Sequence, residues 1–267
     1  MDTRTILLDV GGTFIKRNTG DPVPIPSNGS REAIAEALRK AVTPGLTGGI
    51  TRIGVAIPGP FHYKEGIFLM KHKFAAVYGE RFRDLAGIPE NVSVKYIHDV
   101  NAVLEGAIEI MGLKTSNTAL VSLGTGLGFS IALNGEVRYG PTGSPADSIW
   151  NLPWQGGILE DFASARGVVK AWTALGGEAG ISPADIAGKA YAGDAMAQKA
   201  YNSVGEVLGT ALKEKLEEFE IDTLLFSGQI SKSLSLMEEG LRKHLNNIRI
   251  SRAPEGAVYR GISGLFE

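Results

Sequence analysis

The 267-residue sequence has no cysteine, no excess of one charge and no long apolar run. Without cysteine, disulfides and thiolate metal sites are excluded, which is typical of cytosolic proteins, so we expect a cytoplasmic location. Lysine plus arginine number 27 against 29 aspartate plus glutamate, a balance that argues against nucleic-acid and membrane-surface partners. The apolar runs are only as long as strands, which argues against a membrane-spanning helix, and a strand predicted at the N-terminus leaves no room for a signal peptide.

Glycine is abundant, with 35 residues, and strand-like and helix-like patterns alternate along the chain. This alternation predicts an α/β fold. Residues 140–157 form a predicted loop rich in glycine and proline. Helices are predicted at Arg31 to Val42, Asn101 to Gly112, about Asp194 to Phe219, Ser231 to Asn246 and Gly256 to Leu265.

The stretch LLDVGGTFIKRN, residues 7–18, places an acid and a glycine pair inside an apolar hairpin. Gly11, Gly12 and Thr13 suit the turn between two buried strands. Asp9 suits neither element, because a carboxylate at the end of a buried strand must be paired or used in chemistry. The turn is either an ordinary hairpin turn or a phosphate cradle, since glycine lets peptide N–H groups approach an anion closely.

A second strand–turn–strand unit carries Gly124, Thr125 and Gly126. Two lobes that each begin with such a unit would present two sets of N–H groups to the β- and γ-phosphates of one nucleotide. Asp9 would then hold Mg²⁺ through water. Asp99, at a strand end beside a helix N-terminus, either deprotonates an acceptor hydroxyl or caps the helix.

Six segments, in order, resemble the actin-like sugar kinases, and among these the ROK group (repressors, open reading frames and sugar kinases). They are DVGGTFIK, IPGPF, HDVNAVLEG, LGTGLG, FSGQIS and GAVYRGISG. The resemblance implies an α/β, two-lobed actin-like ATPase fold of the ribonuclease H-like type, with the active site in the interlobe cleft. It implies an N-terminal lobe of residues 1–114, completed by a C-terminal helix at about 253–267, and a C-terminal lobe of residues 115–252.

The resemblance also implies a nucleotide site that uses ATP and Mg²⁺. In it Asp9 organises the Mg²⁺ through water, and Gly228 lies against the adenosine. Lys16 occupies a place where relatives often have a lysine, although a solvated strand-end charge would look the same. The residues expected to line the phosphates are Gly11, Gly12, Thr13, Gly124, Thr125 and Gly126.

For the acceptor, Asp99 matches the catalytic base of the family, and Asn101 matches the asparagine that follows it. Glu160 in LEDFAS matches a glutamate that binds sugar hydroxyls. His98 replaces the asparagine that usually precedes the base, and is either a ligand of the substrate or a strand-end histidine satisfied by the backbone.

Two further departures from the family concern the sugar half. The zinc module of one histidine and three cysteines is impossible without cysteine, so we expect no zinc. The Glu-x-Gly-His sugar motif is replaced by ADSIW, in which Asp147 and Trp150 are the nearest equivalents. Trp150 and Trp154 either stack on a sugar ring or anchor their loop.

These features predict an ATP-dependent, glucokinase-like sugar kinase that phosphorylates a hexose or amino sugar, with the 6-hydroxyl as the expected acceptor. The alternatives are a sugar-binding regulator or sensor with little catalysis, and a kinase of the same superfamily with another small-molecule acceptor. The resemblance suggests a homodimer. The sugar and the phosphoryl donor (ATP, another nucleotide or polyphosphate) stay open.

Overall fold

The computed structural model describes residues 4–267, which divide into two units. The first unit holds the described residues up to Gly112, together with Tyr139–Ala146 and Pro254–Glu267. The second holds Leu113–Arg138 and Asp147–Ala253. Over the described part of the chain, no helix combines the length and apolar character needed to cross a membrane.

Strands and helices alternate along the described residues, as the sequence patterns predict. The strands are β1 (Thr5–Val10), β2 (Phe14–Arg17), β3 (Val23–Pro24), β4 (Arg52–Ile57), β5 (Phe61–His62), β6 (Ile67–Phe68), β7 (Ser93–His98), β8 (Thr118–Leu123), β9 (Leu127–Leu133), β10 (Glu136–Val137), β11 (Pro153–Trp154), β12 (Gly157–Ile158), β13 (Thr223–Ser227) and β14 (Arg249–Arg252). The helices are α1 (Arg31–Thr47), α2 (Phe82–Ala86), α3 (Asp99–Met111), α4 (Ala165–Ala174), α5 (Pro183–Tyr191), α6 (Ala195–Glu218), α7 (Leu234–Arg242) and α8 (Ala257–Gly264).

The sheet of the first unit has the strand order β3-β2-β1-β4-β7. β1 forms an antiparallel hairpin with β2 and pairs in parallel with β4, which pairs in parallel with β7. Side chains of β1 and β4 are largely buried, as expected for central strands of a mixed sheet. The carboxyl ends of β1 and β7 therefore lie at the same edge of the sheet, and these ends carry Asp9 and His98.

The sheet of the second unit, β10-β9-β8-β13-β14, repeats the arrangement of the first. β8 forms an antiparallel hairpin with β9 and a parallel pair with β13, which pairs in parallel with β14. In each unit the glycine turn joins the first strand to the second. The similarity between the two glycine turns in the sequence thus corresponds to the same topological position in two sheets of the same design.

Each unit also contains one helix pair that packs through glycine. In the first unit, a β-carbon on Gly106 of α3 would overlap the carbonyl oxygen of Ala257, at the start of α8. In the second, a β-carbon on Gly205 of α6 would overlap the carbonyl oxygen of Met237 in α7. Both helix pairs depend on glycine at the point of contact, because only glycine lets the two backbones approach so closely.

Three helix bounds differ from the sequence prediction. The segment from Ser231 to Asn246 is not one helix, because a 3₁₀ turn, Ile230–Ser233, precedes α7, which ends at Arg242. Helix α1 continues past Val42 to Thr47 despite the proline within it. Helix α3 begins at Asp99 rather than at Asn101, with His98 as the residue before its first turn.

Candidate active site

The first glycine turn leaves two peptide donors for a ligand. The N–H of Gly11 donates to the carbonyl of Phe14 at 2.9 Å and closes the turn. The N–H groups of Gly12 and Thr13 have no hydrogen-bond acceptor anywhere in residues 4–267. Free peptide N–H groups of this kind can donate hydrogen bonds to an anion such as phosphate.

Neither the backbone conformation nor the packing of the protein requires glycine at position 12. The φ of Gly12 is not positive, and a β-carbon there would lie 3.5 Å from Ser27 Oγ and 3.6 Å from Lys73 Cδ and Cε. These are ordinary van der Waals distances, so alanine would fit. The close approach of a ligand to the backbone does explain glycine at this position. The turn therefore has the form of a cradle that a β-carbon would fill.

The second glycine turn has the same features. The N–H of Gly124 donates to the carbonyl of Gly126 at 3.1 Å, whereas the N–H groups of Thr125 and Gly126 find no acceptor within the described residues. Gly124 has no positive φ, and a β-carbon on it would meet no atom within 4 Å. Two donors and an unexplained glycine thus occur in each unit.

Glu160, predicted to bind sugar hydroxyls, braces the second turn. Its Oε2 accepts the N–H of Leu127 at 2.9 Å, and its Oε1 accepts from Arg166 at 2.6 Å. A β-carbon on Gly126 would lie 2.9 Å from Oε2, so any larger residue there would require the Glu160 carboxylate to shift. The carboxylate is largely buried, with 22% of the side chain exposed. Its role as a sugar ligand stays a prediction.

Gly228 lies against the same turn. Its φ is +86°, and a β-carbon on it would overlap the carbonyl oxygen of Leu123, the residue before Gly124. The carbonyl of Gly228 in turn accepts the hydroxyl of Ser231 at 2.7 Å. The structure therefore brings together Gly228 and the second glycine turn, both of which the sequence assigned to the nucleotide.

Asp9 is a poorly compensated buried carboxylate. It faces Lys16 across the hairpin, with Lys16 Nζ 3.8 Å from Asp9 Oδ2. Burial raises the pKa of Asp9 to about 6, against the opposing charge of Lys16 and with a further increase from the negative charge of Asp99. A divalent cation fits this position because it would supply the missing positive charge.

Residues 4–267 do not supply a full set of side-chain ligands for such a cation. In residues 4–267, no three histidine, cysteine, aspartate or glutamate side chains converge to form a metal site. Mg²⁺ characteristically uses one or two carboxylates, with water and substrate phosphates as its other ligands. A site built on Asp9 with water is therefore chemically consistent with Mg²⁺.

Asp99 is the first residue of α3. Burial acts to raise its pKa, but three interactions together hold the pKa below the ordinary value for aspartate. These are the contact with His98, the hydrogen bond from the N–H of Val100 at 2.8 Å and the positive charge of Lys73. Asp99 is therefore ionised and able to accept a proton.

The imidazole of His98 belongs to the surroundings of this carboxylate. Its Nδ1 lies 2.9 Å from Asp99 Oδ1 and 3.2 Å from the N of Val100. One nitrogen cannot both donate to Asp99 and accept from Val100. Because the N–H of Val100 makes the shorter bond to Asp99, we assign the proton to Nδ1. The ring also lies 5.8 Å from that of Tyr63, whose hydroxyl donates to Ile57.

Four other residues considered for the sugar half lie in different settings. Asn101 is fully buried in α3, which favours a structural role. Trp150 is 46% exposed and free to meet a ligand, whereas Trp154 packs against the core of the second unit. Asp147 is mostly buried and is paired with Lys215 at 3.1 Å and Arg138 at 3.5 Å. Lys215 and Arg138 already compensate its charge, and the predicted role of Asp147 as a sugar ligand stays a prediction.

Sequence reasoning missed Lys73, which is close to both Gly12 and Asp99. The signal was the basic run KHK, Lys71 to Lys73, in an otherwise apolar segment. A basic run is more often solvated surface, and no local pattern marks which of its members turns inward. Arg166, the partner of Glu160, was also missed, because α4 was not predicted.

Comparison with known proteins places these features in one family. The model of the ROK family matches residues 2–150 and 151–260. A glucokinase from Halalkalibacterium halodurans is 26% identical over 293 aligned positions, which cover 95% of this chain and 88% of that protein.

Two solved structures show the fold. The first is a ROK family glucokinase from Streptomyces griseus in complex with glucose and AMPPNP, with a TM-score of 0.80, 21% identity and 98% of each chain covered. The second is a ROK family transcriptional regulator, a homologue of the E. coli Mlc protein, with a TM-score of 0.76 and 20% identity over 97% of this chain and 77% of that one. The chain therefore belongs to the ROK family and has the actin-like ATPase fold of the ROK sugar kinases.

Proposed function

We propose that this ROK-family sugar kinase transfers the γ-phosphoryl group of Mg-ATP to the 6-hydroxyl group of a hexose or amino sugar. The observation that carries the proposal is the carboxylate of Asp99 at the start of α3, in contact with His98 and in the same unit as a glycine turn with two free peptide donors. The similarity to a glucokinase over 95% of the chain supports the acceptor class.

In this reaction Asp99 accepts the proton of the sugar hydroxyl as its oxygen attacks the γ-phosphorus. The free N–H groups of Gly12 and Thr13 would bind phosphate oxygens, and those of Thr125 and Gly126 are also proposed to bind phosphate. When Mg²⁺ is bound, it neutralises phosphate charge as that charge shifts towards the leaving group. Asp9 would hold it through water. Preorganised donors lower the barrier because they need no rearrangement during the transfer.

The remaining residues position these groups. Gly228 would lie against the adenosine, and Glu160 would fix the second turn through the N–H of Leu127 while its remaining lone pairs bind the sugar. Trp150, exposed in the loop of the second unit, is the residue proposed to stack on the sugar ring. Lys16, which faces Asp9, would interact with the phosphates once Mg²⁺ offsets the charge of that carboxylate.

A sugar-responsive regulator is the competing function, since the family includes regulators. The features that favour catalysis are the two carboxylates Asp9 and Asp99, of which Asp9 is destabilised by burial. A protein without turnover gains nothing from such a group. The homodimeric state and the cytoplasmic location stay predictions.

The test is ADP release from Mg-ATP by the purified protein against a panel of hexoses, amino sugars and N-acetyl sugars. We expect sugar-dependent release that Asp99→Asn lowers by roughly 10²- to 10⁴-fold, the usual contribution of a general base. Glu90→Gln, which alters an acid that is 88% exposed in the same unit, is the matched control and keeps full activity. Sugar binding without turnover in the wild type would favour the regulator.

A further inference from the structure

Lys73 is held in place by the backbone around it. The next residue, Phe74, is fully buried and has a φ of +54°, and its N–H donates to the carbonyl of Ser27 at 2.6 Å. A buried aromatic residue in the left-handed region is tolerated only where its surroundings fix it. The direction in which the chain presents Lys73 is therefore fixed by this anchor.

The side chain of Lys73 runs along the first glycine turn. A β-carbon on Gly12 would lie 3.6 Å from both Cδ and Cε of Lys73, so the end of the aliphatic stem lies beside the glycine backbone. This is the glycine that the packing of the protein does not require. The two free peptide donors of this turn, the N–H groups of Gly12 and Thr13, thus belong to the same neighbourhood as the side chain of Lys73.

The ammonium group of Lys73 also acts on the base. Its positive charge contributes to the lowered pKa of Asp99, after the larger effects of burial, which opposes the shift, and of His98 and the Val100 N–H. Lys73 is therefore near the base as well as the turn.

Lys73 differs from the other cations of this neighbourhood because it has no acidic partner within 4 Å among residues 4–267. Lys16 faces Asp9, and His98 contacts Asp99. An ammonium group beside free peptide donors, with no acidic group within 4 Å in the described part of the chain, can pair with an anion from a ligand. In the proposed reaction, the anionic group that passes from the nucleotide to the acceptor beside Asp99 is the γ-phosphoryl group.

We propose that the Lys73 ammonium binds the non-bridging oxygens of the γ-phosphoryl group during its transfer, which makes Lys73 a catalytic residue of this chain. The inference rests on the proposed function. The acceptor oxygen forms a bond to the γ-phosphorus as the bond from that phosphorus to the β,γ-bridging oxygen breaks. The hydroxyl proton goes to Asp99, and ADP leaves with the electron pair. Lys73 exchanges no proton and supplies positive charge throughout.

The experiment compares Lys73→Met, which keeps the stem and removes the charge, with Lys73→Arg, which keeps the charge. Lys71→Met is the matched control, since Lys71 is exposed and its ammonium lies over the ring of Tyr78. Affinities for ADP and for AMPPNP are measured by calorimetry with Mg²⁺, together with kcat and the KM for the best sugar. Melting temperatures show whether each variant is folded.

We expect Lys73→Met to weaken AMPPNP binding roughly tenfold relative to ADP binding, and to lower kcat about 10²-fold with little change in the KM for sugar. Lys73→Arg should recover part of both effects, and Lys71→Met should show neither. An unchanged ratio of AMPPNP to ADP affinity in Lys73→Met would overturn the inference. So would a raised sugar KM at unchanged kcat, because Lys73 would then bind an anionic group on the acceptor.

These outcomes separate the inference from the proposed function. If the wild type shows no sugar-dependent ADP release, the proposed function fails. The two nucleotide affinities still decide whether Lys73 recognises the γ-phosphoryl group, because they need no turnover.

Discussion

Nδ1 of His98 lies 2.9 Å from Oδ1 of Asp99, the residue that follows it in the chain. The two side chains meet at the point where β7 ends, at His98, and α3 begins, at Asp99. The imidazole therefore contacts the base itself. The sequence left open whether His98 binds substrate or is satisfied by the backbone, and this contact adds a third role, that of positioning Asp99.

His98→Asn should move the acid limb of the kcat/KM profile to higher pH. The contact with His98 helps to lower the pKa of Asp99, so its loss lets burial raise that pKa, and the base is then protonated at higher pH. Above the limb, activity should return to within a few-fold of the wild type. The profile is measured at saturating Mg²⁺, so that Asp9 does not contribute. An unmoved limb with a raised sugar KM would contradict this, and would indicate a sugar ligand.

Asp9→Asn should stabilise the protein at neutral pH when Mg²⁺ is absent. The folded pKa of about 6 lies above the unfolded value of 3.8, so the folded state holds the proton more tightly. The stability present below about pH 4 is therefore lost as the pH rises through 6, by up to about 3 kcal/mol. Urea unfolding in EDTA at pH 4 and pH 7.5 should show the variant gaining only at pH 7.5. A less stable variant at pH 7.5 would contradict the burial effect.

Gly12→Ala and Gly124→Ala should fold as well as the wild type and bind nucleotide at least roughly tenfold more weakly. Neither position has a positive φ or a clash within the protein, so the protein tolerates the added methyl group and only the ligand is obstructed by it. Gly188→Ala, in a position that is equally open, is the control and keeps full affinity. Titration with Mg-AMPPNP measures this. Unchanged affinity in either variant would remove that turn from the phosphate site.

Asp147→Asn should cost stability rather than sugar affinity. Asp147 compensates Lys215 and Arg138, and its loss leaves two half-buried cations unpaired, for a cost of roughly 2 kcal/mol. Urea unfolding and sugar KM are measured on the same preparation. A raised KM with unchanged stability would instead support the sugar role predicted from ADSIW.

The sequence could predict the repeated hairpins because strand–glycine–strand patterns are local. The structure adds that the whole five-strand order is repeated in the two units, which no local pattern reveals. Strand β14 escaped prediction because it is short and carries two arginines. Helix α4 escaped because its start is set by a bond from the N–H of Ala165 to the carbonyl of Gly124, distant in the chain.

The two glycine turns were easier to predict from the sequence than the contacts of the side chains expected at the acceptor. A glycine turn presents backbone N–H groups, so the residue types alone are enough to predict the turn. Glu160, Asp147 and Lys73 depend instead on which partner each side chain meets, and those partners lie far apart in sequence. That the two glycine turns act on one nucleotide stays a prediction.

Phosphorus NMR of the reaction products is the most direct test of phosphoryl transfer to a sugar hydroxyl. Wild-type protein with Mg-ATP and the best sugar of the panel should give ADP and a sugar 6-phosphate ester in equal amounts, and Asp99→Asn should give almost none. Products of ADP and inorganic phosphate alone would contradict phosphoryl transfer to a sugar, and ester formation by Asp99→Asn at the wild-type rate would contradict the role of Asp99.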